Sequence, residues 1–317
     1  MRIDYLRVSV TDRCNLQCIY CNPMGDCGFI DQRQILRFEE IHRIVRLFAE
    51  CGVRKVRLTG GEPLVRKNIA ALVEKLAATV GVKEVTLTTN GVLLEKMADQ
   101  LKAAGLNRVN ISLDSAEKES YQRITGFDFL EKAVNGIYKA IAIGLTPVKL
   151  NAVILRGINE FQIPALAQMS VNLPVIVRFI EYYPTSKNTW PASDYVPNNE
   201  VRWTIERKFG PLSDVLVPVN NGPAFYLKIK NSAGAIGFIS GRTTFFCGSC
   251  NRLRLTSDGK IRPCLYSAYH YDLKALIRAG AGDQQVRELL KKILAEKSSY
   301  TKLNSFTQEF SMRTVGG

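Results

Sequence analysis

Six short stretches in roughly the first 180 residues alternate apolar and polar side chains one by one, and helical patterns fill the gaps between them. The stretches are 6–11, 53–59, 84–89, 108–113, 147–153 and 175–180. Leu6, Val8 and Val10 fall on one face of the first, with Arg7, Ser9 and Thr11 on the other. Val56 and Leu58 oppose Lys55, Arg57 and Thr59. Val85 and Leu87 oppose Thr86 and Thr88, and Val109, Ile111 and Leu113 oppose Asn110, Ser112 and Asp114. Val148 and Leu150 oppose Lys149 and Asn151, and Arg178 sits between Val177 and Phe179. Between them, 38–48 and 130–141 carry apolar residues at helical spacing, and Gly52, Gly105 and Gly144 follow helical stretches as C-terminal caps.

Six strand–helix units imply a parallel sheet, open or curled into a partial barrel. Parallel strands covered on both faces read as unbroken apolar runs, and these do not. A barrel accounts for the difference: the apolar face meets the outer helices and the polar face lines the interior. An antiparallel sheet with one solvated face is the rival, and the intervening helices count against it. Several cations in one lumen are costly without an anionic partner, so the lumen is expected to receive something negative. Beyond about residue 195 the texture changes. Pro191, Pro197, Pro211, Pro218 and Pro223 punctuate it, 225–239 reads as a β-hairpin, and helices are expected near 272–279 and 284–296. The expected architecture is an α/β chain: an incomplete (β/α)6 barrel of the TIM type over 1–195 and a smaller α+β domain over 196–317.

The charge bears on the partner. Lys and Arg number 43 against 29 acids, a net charge of +14. No zinc-finger spacing, basic repeat or RNA-binding signature accompanies it, so an anionic small substrate in a pocket remains open. There is no apolar run of membrane-spanning length and no signal-peptide core at the N-terminus, so a cytoplasmic enzyme with reduced thiols is expected, with no membrane or nucleic-acid partner.

Six of the eight cysteines form two triplets. Cys14, Cys18 and Cys21 make a CxxxCxxC pattern just beyond the first strand, where active sites of barrels and open α/β sheets lie. Structural zinc wants four closed ligands, whereas a cubane iron–sulfur cluster on three thiolates keeps one iron open. Cys247 and Cys250, with Cys264 further on, form the second triplet. Zinc completed by His270 is the alternative there. Cys51 reads as a packed thiol and Cys27 as incidental.

CxxxCxxC followed by Gly60-Gly61-Glu62-Pro63 resembles the radical S-adenosylmethionine superfamily. The run 246–264, the N-terminal LRVSVTDRCN and the terminal Gly316-Gly317 resemble one branch of it, the GTP 3′,8-cyclase family of molybdenum cofactor biosynthesis. The likeness spans essentially the whole chain. It implies two [4Fe–4S] clusters, on Cys14, Cys18 and Cys21 and on Cys247, Cys250 and Cys264. It implies cleavage of S-adenosylmethionine to a 5′-deoxyadenosyl radical, abstraction of the 3′ hydrogen of GTP, and closure of C3′ onto C8 of guanine. Partners implied are GTP, an electron donor of flavodoxin or ferredoxin type and a downstream cyclic pyranopterin monophosphate synthase; a homodimer is left open.

Residue by residue, the likeness assigns Tyr20, Gly61, Ser112 and Tyr183 to S-adenosylmethionine. It assigns Arg7, Lys55, Arg57, Thr88, Lys149, Arg178, Arg252, Leu253 and Arg254 to GTP. Gly316 and Gly317 become a tail that enters the site and orients a catalytic arginine, Arg7. The chain departs from the family where Asn22 and Tyr183 replace the usual methionines and where the leader before the first strand is short. Two readings compete with the cyclase. One is a radical enzyme whose auxiliary cluster serves peptide modification; the other is a metal-bearing nucleic-acid-binding module.

Overall fold

The computed structural model describes residues 3–21, 28–182, 194–215, 222–244, 247–265, 267, 269–299 and 312–316. Six parallel strands run in chain order: β1 (Tyr5–Ser9), β2 (Lys55–Thr59), β3 (Glu84–Thr89), β4 (Arg108–Ser112), β5 (Val148–Ile154) and β6 (Val175–Glu181). The helices between them are α1 (Phe38–Glu50), α2 (Ile69–Ala77), α3 (Leu94–Ala103), α4 (Lys118–Thr125), α5 (Leu130–Ala142) and α6 (Ile163–Asn172). This is the expected α/β architecture, with strand positions within two residues of those read from the alternation. Gly52, Gly105 and Gly144 follow α1, α3 and α5 with φ of 104°, 93° and 72°, the left-handed conformation that ends a helix without a Cβ penalty.

The rest of the chain builds α7 (Asn198–Phe209), β7 (Ser213–Asp214), β8 (Phe225–Lys228), β9 (Ala235–Ile239), β10 (Arg252–Leu255), β11 (Lys260–Arg262), β12 (Tyr271–Asp272), α8 (Leu273–Arg278), α9 (Asp283–Glu296) and the short α10 (Met312–Val315). β8 and β9 form the expected antiparallel hairpin. Its placement was not legible: β9 pairs parallel with β6, and β10 pairs parallel with β1. The C-terminal strands therefore extend both edges of one twelve-stranded sheet, ordered β12-β11-β10-β1-β2-β3-β4-β5-β6-β9-β8-β7.

The two faces divide as the alternation requires. Leu6, Val8, Val56, Leu58, Leu87, Val109, Ile111, Val177 and Phe179 are wholly buried against the helices. They meet Ile41, Ile44, Val45 and Phe48 of α1 among others, in one continuous core. Burying side chains of this size supplies about 1.5–3 kcal/mol each, and the amphipathic helices fold because the sheet offers that surface. Glu40 reaches back to the Arg37 backbone N–H at 2.7 Å and pairs with Arg278 of α8 at 2.7 Å, fastening the C-terminal segment to α1.

α3 and α5 touch at Gly136, where a Cβ would lie 2.5 Å from the Gly91 carbonyl oxygen and 3.1 Å from the Leu94 Cβ. Gly136→Ala must push the two helices apart. Overpacking of this kind is expected to cost about 1–3 kcal/mol, read as a lower denaturation midpoint with an unchanged slope in urea.

Candidate active site

A cavity of about 380 Å³ is walled by residues of the six central parallel strands together with Arg252 and Arg254 of β10 and Ile239 of β9, so the sheet curls around it. Strand register orders its depth. Tyr5, Lys55 and Arg108 open their strands and line the floor, while Gly60, Gly61, Ser112 and Asp114 follow or end their strands and line the mouth. Cys14, Cys18 and Cys21 line the same mouth.

The loop that carries the first triplet is seated by backbone contacts. Val10 N donates to the Thr59 carbonyl at 2.9 Å, Gly61 N to that of Thr11 at 2.8 Å and Glu62 N to that of Arg13 at 2.8 Å. On the far side Gln17 N and Ile19 N donate to the Thr125 and Ile124 carbonyls at the end of α4. The glycines are obligatory here: a Cβ on Gly61 would stand 2.4 Å from the Arg13 carbonyl oxygen, and one on Gly60 2.5 Å from that of Thr11. The close neighbour is the cysteine loop itself. Glu62, buried, accepts from Leu64 N, Asn90 N and Thr89 Oγ1 at 2.9, 2.7 and 2.8 Å, which fixes the turn to β3; burial raises its carboxyl to about 7. Tyr20, between two of the cysteines, donates its hydroxyl to Asp114 at 2.5 Å, and Asp114 also accepts from Val153 N at 2.8 Å.

Below the mouth the lumen is cationic. Arg7, Lys55, Arg57, Arg108, Lys149, Arg178, Arg252 and Arg254 all line it. Arg7 stands in register with Arg57 on one side and Arg254 on the other, so three guanidinium-bearing positions are adjacent. Burial, then Arg178, Arg108, Arg57 and Lys55, brings Lys149 down to about 6. Burial brings Arg178 down to about 10, with Arg57 adding to the effect. Burial would raise the Tyr5 hydroxyl, but four surrounding cations, Arg57 foremost, outweigh it and lower it. Thr88 Oγ1, Asn151 Oδ1, Arg57 Nε and Arg178 Nε are buried atoms with no hydrogen-bond partner among the described residues. Orphaned polar atoms on one wall are what a polar ligand would satisfy.

Of the residues expected from sequence, Arg7, Tyr20, Lys55, Arg57, Gly61, Thr88, Ser112, Lys149, Arg178, Arg252 and Arg254 line this one cavity. Leu253 does not: as the odd residue between two inward arginines its side chain is wholly buried in the core. Only its backbone remains for a ligand. Tyr183 and Gly317 lie outside the described residues. The tail reaches the site, for the Gly316 carbonyl accepts from Arg254 Nη1 at 2.8 Å and Met312 and Arg313 line the cavity. Arg108, Tyr5 and Tyr226 are lining residues that the sequence reading did not name; Asp114, placed on the polar face but given no role, lines the cavity as well. Arg108 shares the parity of Asn110, Ser112 and Asp114, a signal that was there to use; Tyr226 comes from β8, whose partner strands were not legible.

Residues 8–169 match the Radical SAM superfamily, and residues 175–303 match Molybdenum Cofactor Synthesis C. A GTP 3′,8-cyclase of Pelotomaculum thermopropionicum is 46% identical over 317 residues, covering 99% of this chain and 98% of that protein. Another from Moorella thermoacetica is 43% identical over 317 residues, covering 100% of this chain and 98% of that protein. The chain belongs to the GTP 3′,8-cyclase family of radical S-adenosylmethionine enzymes. Among solved structures, Streptococcus suis SuiB bound to S-adenosylmethionine aligns with a TM-score of 0.64 at 14% identity, over 90% of this chain and 68% of that one. At that identity it shows a shared fold.

Membership in the radical S-adenosylmethionine superfamily implies a [4Fe–4S] cluster and S-adenosylmethionine, and the first triplet suits such a cluster. Among the described residues no three Cys, His, Asp or Glu donors gather tightly enough to hold a single metal ion. A cubane binds each thiolate at a different iron, so its thiolates need not converge on one point. Burial pushes the Cys14 thiol up to about 11; Cys18 is raised well above the usual range, by burial first and then by Asp114, Cys21 and Cys14. Only a strongly positive centre would keep these thiols ionised together.

Gly61→Ala is expected to displace the first-triplet loop in this cyclase-family protein. Formation of 5′-deoxyadenosine should fall by roughly a hundredfold, as a misplacement of about 1 Å does, with a stability loss no larger than the about 1–3 kcal/mol of ordinary overpacking. Product quantified by mass spectrometry beside an iron assay checks this; unchanged turnover would refute the role given to the glycine.

Proposed function

We propose that this chain is a GTP 3′,8-cyclase, converting GTP to (8S)-3′,8-cyclo-7,8-dihydroguanosine 5′-triphosphate in the first step of molybdenum cofactor biosynthesis. The observation that carries this is the single cavity, with three thiols at its mouth and a cationic lumen below; the second triplet is not part of its lining but flanks β10 and β11 in sequence at the floor end. Cys247 and Cys250 immediately precede β10, whose first residue Arg252 is level with Tyr5 on the floor. Cys264 follows β11, which runs back antiparallel to β10 toward the same end.

Cys14, Cys18 and Cys21 would hold the first cluster, which when bound would supply the electron for cleavage of S-adenosylmethionine to methionine and the 5′-deoxyadenosyl radical. The chain's own residues do the rest by placement. Gly61, Tyr20 and Ser112 hold S-adenosylmethionine, with Tyr183 assigned beside them by the family resemblance alone. Arg7, Lys55, Arg57, Thr88, Lys149, Arg178, Arg252 and Arg254, with the backbone of Leu253, hold GTP, its triphosphate among the cations. Arg7 is the catalytic arginine of this reading, and the Gly316-Gly317 tail steadies that wall of the site. Cys247, Cys250 and Cys264 would hold the second [4Fe–4S] cluster that the family resemblance implies, at the guanine end of the site. The enclosing sheet brings the C3′ hydrogen close to the adenosyl C5′ and keeps water away from the radical. On this reading 1–195 bears the radical chemistry and 196–317 the guanine end. A flavodoxin or ferredoxin supplies the electron in the cytoplasm, and a cyclic pyranopterin monophosphate synthase takes the product. No helix among the described residues is long and apolar enough to cross a membrane.

The test is anaerobic turnover with dithionite, S-adenosylmethionine and GTP deuterated at C3′. Deuterium is expected in 5′-deoxyadenosine, with a cyclised nucleotide formed beside it. Deoxyadenosine without label and unchanged GTP would overturn the substrate.

The lowered Lys149 gives a pH dependence. With its pKa at about 6, the free site holds Lys149 mostly neutral at pH 7.5, and a bound polyphosphate favours the charged form. GTP binding is therefore expected to take up a proton, and affinity to fall as pH rises above about 6. Calorimetry in buffers of different ionisation enthalpy reads the uptake directly, and Lys149→Met should abolish it.

A further inference from the structure

Glu84 opens β3 at the floor of the lumen, in register with Lys55, one step below the pairing of Thr86 with Arg108. Its carboxylate takes Lys55 Nζ at 2.8 Å on Oε2 and the Nε and Nη2 of Arg108 on Oε1. All three groups are removed from bulk water, with Lys55, Arg108 and Glu84 side chains 15%, 6% and 19% exposed. Burial would raise the Glu84 carboxyl, yet the hydrogen bonds from Arg108 and Lys55 hold it below the usual carboxylate range. Lys55 and Arg108 line the cavity. One carboxylate thus holds two of the cations that line the lumen, at the end of the cavity farthest from the first triplet.

We infer that Glu84 is a specificity-determining positioning residue: by occupying Lys55 and Arg108 it limits how much anionic charge the floor accepts. The physical argument is competition. A carboxylate ligated by both cations at hydrogen-bond distance is an internal anion, and a phosphate that approaches them meets its charge as well as theirs. In a partly desolvated cavity a single charge acts over several ångströms with little screening. The polyphosphate is therefore met mainly by the guanidinium-bearing positions above the floor, Arg7, Arg57 and Arg254. Lys55 contributes to GTP with part of its charge already spent. Without such a carboxylate the lumen would be a general trap for polyphosphate, binding substrate, product and inorganic polyphosphate too tightly to discriminate among them.

The inference rests on the reading of this cavity as a GTP site, and the experiment separates the two. Binding of GTP, of guanosine and of inorganic tripolyphosphate is measured anaerobically on the holoenzyme at low salt, for the wild type and for Glu84→Gln. Glu84→Gln is expected to bind tripolyphosphate and GTP about tenfold more tightly, with a steeper salt dependence and unchanged guanosine affinity. A tighter complex is not what a merely structural lesion produces. Removing both charges in Glu84→Gln/Arg108→Gln should return tripolyphosphate affinity to within about twofold of the wild type. Should Glu84→Gln fail to fold by circular dichroism, Glu84→Asp answers instead; its shorter arm is expected to tighten tripolyphosphate binding by a smaller factor. Equal or weaker tripolyphosphate binding by either folded variant overturns the inference and leaves the GTP reading standing. A wild type that binds neither GTP nor tripolyphosphate overturns the GTP reading and the inference with it.

Discussion

The strict two-residue repeat of the central strands forces every second side chain into the lumen, and many of the residues it places there are cations. Because β10, β1 and β2 are in register, Arg7 is flanked by Arg254 and Arg57 at one depth. Burial lowers Arg7 well below its usual range, with Arg254 and Arg57 adding to it. A lumen built this way resists collapse into a hydrocarbon core, since packing guanidinium groups against one another without counter-charge would cost several kcal/mol per ion. It stays open because its walls repel, and the outer face supplies the cohesion: Leu6, Val56, Val109 and Val177, one step along from the cations, are wholly buried against the helices. Cavity and core are two consequences of one alternation.

That alternation is local, so it was legible. Strand positions, the inward parity of Arg7, Arg57, Lys149 and Arg178, and the glycine helix caps all follow from spacing within a few residues. What was not legible depends on pairings that leave no local trace. Nothing in 235–239 says that β9 will run parallel to β6, and nothing in 252–255 says that β10 will lie beside β1. Tyr226 enters the cavity wall because the hairpin carries it there. Leu253, assigned to GTP through the family likeness, has its side chain on the opposite face, as strand alternation requires, so only its backbone faces a ligand. Gly61 was read as a place for close approach to a ligand; its tightest constraint is the Arg13 carbonyl, a contact between segments 48 residues apart in sequence (61 less 13).

The parallel pairing of β1 with β10 also decides what the two cysteine triplets can share. The chain reaches the first triplet after leaving β1 at the mouth, and it passes Cys247 and Cys250 before entering β10 at the floor. Had β10 been antiparallel to β1, both sets of thiols would have crowded one end, and nothing between them would have been positioned by both. As folded, Tyr5 is level with Arg252 and Arg7 with Arg254 along the wall between them. The tail closes this wall from the mouth side. Gly316 presses on Thr59, the last residue of β2, so closely that a Cβ would stand 2.2 Å from Thr59 Cγ2, and its φ of 80° is the left-handed conformation glycine adopts most readily. Its carbonyl then reaches Arg254 Nη1 across β1, tying the two strands that flank β1. A residue with any side chain would hold the tail away and release that arginine. Gly316 is thus tied to the shape of the lumen as firmly as the cations that line it.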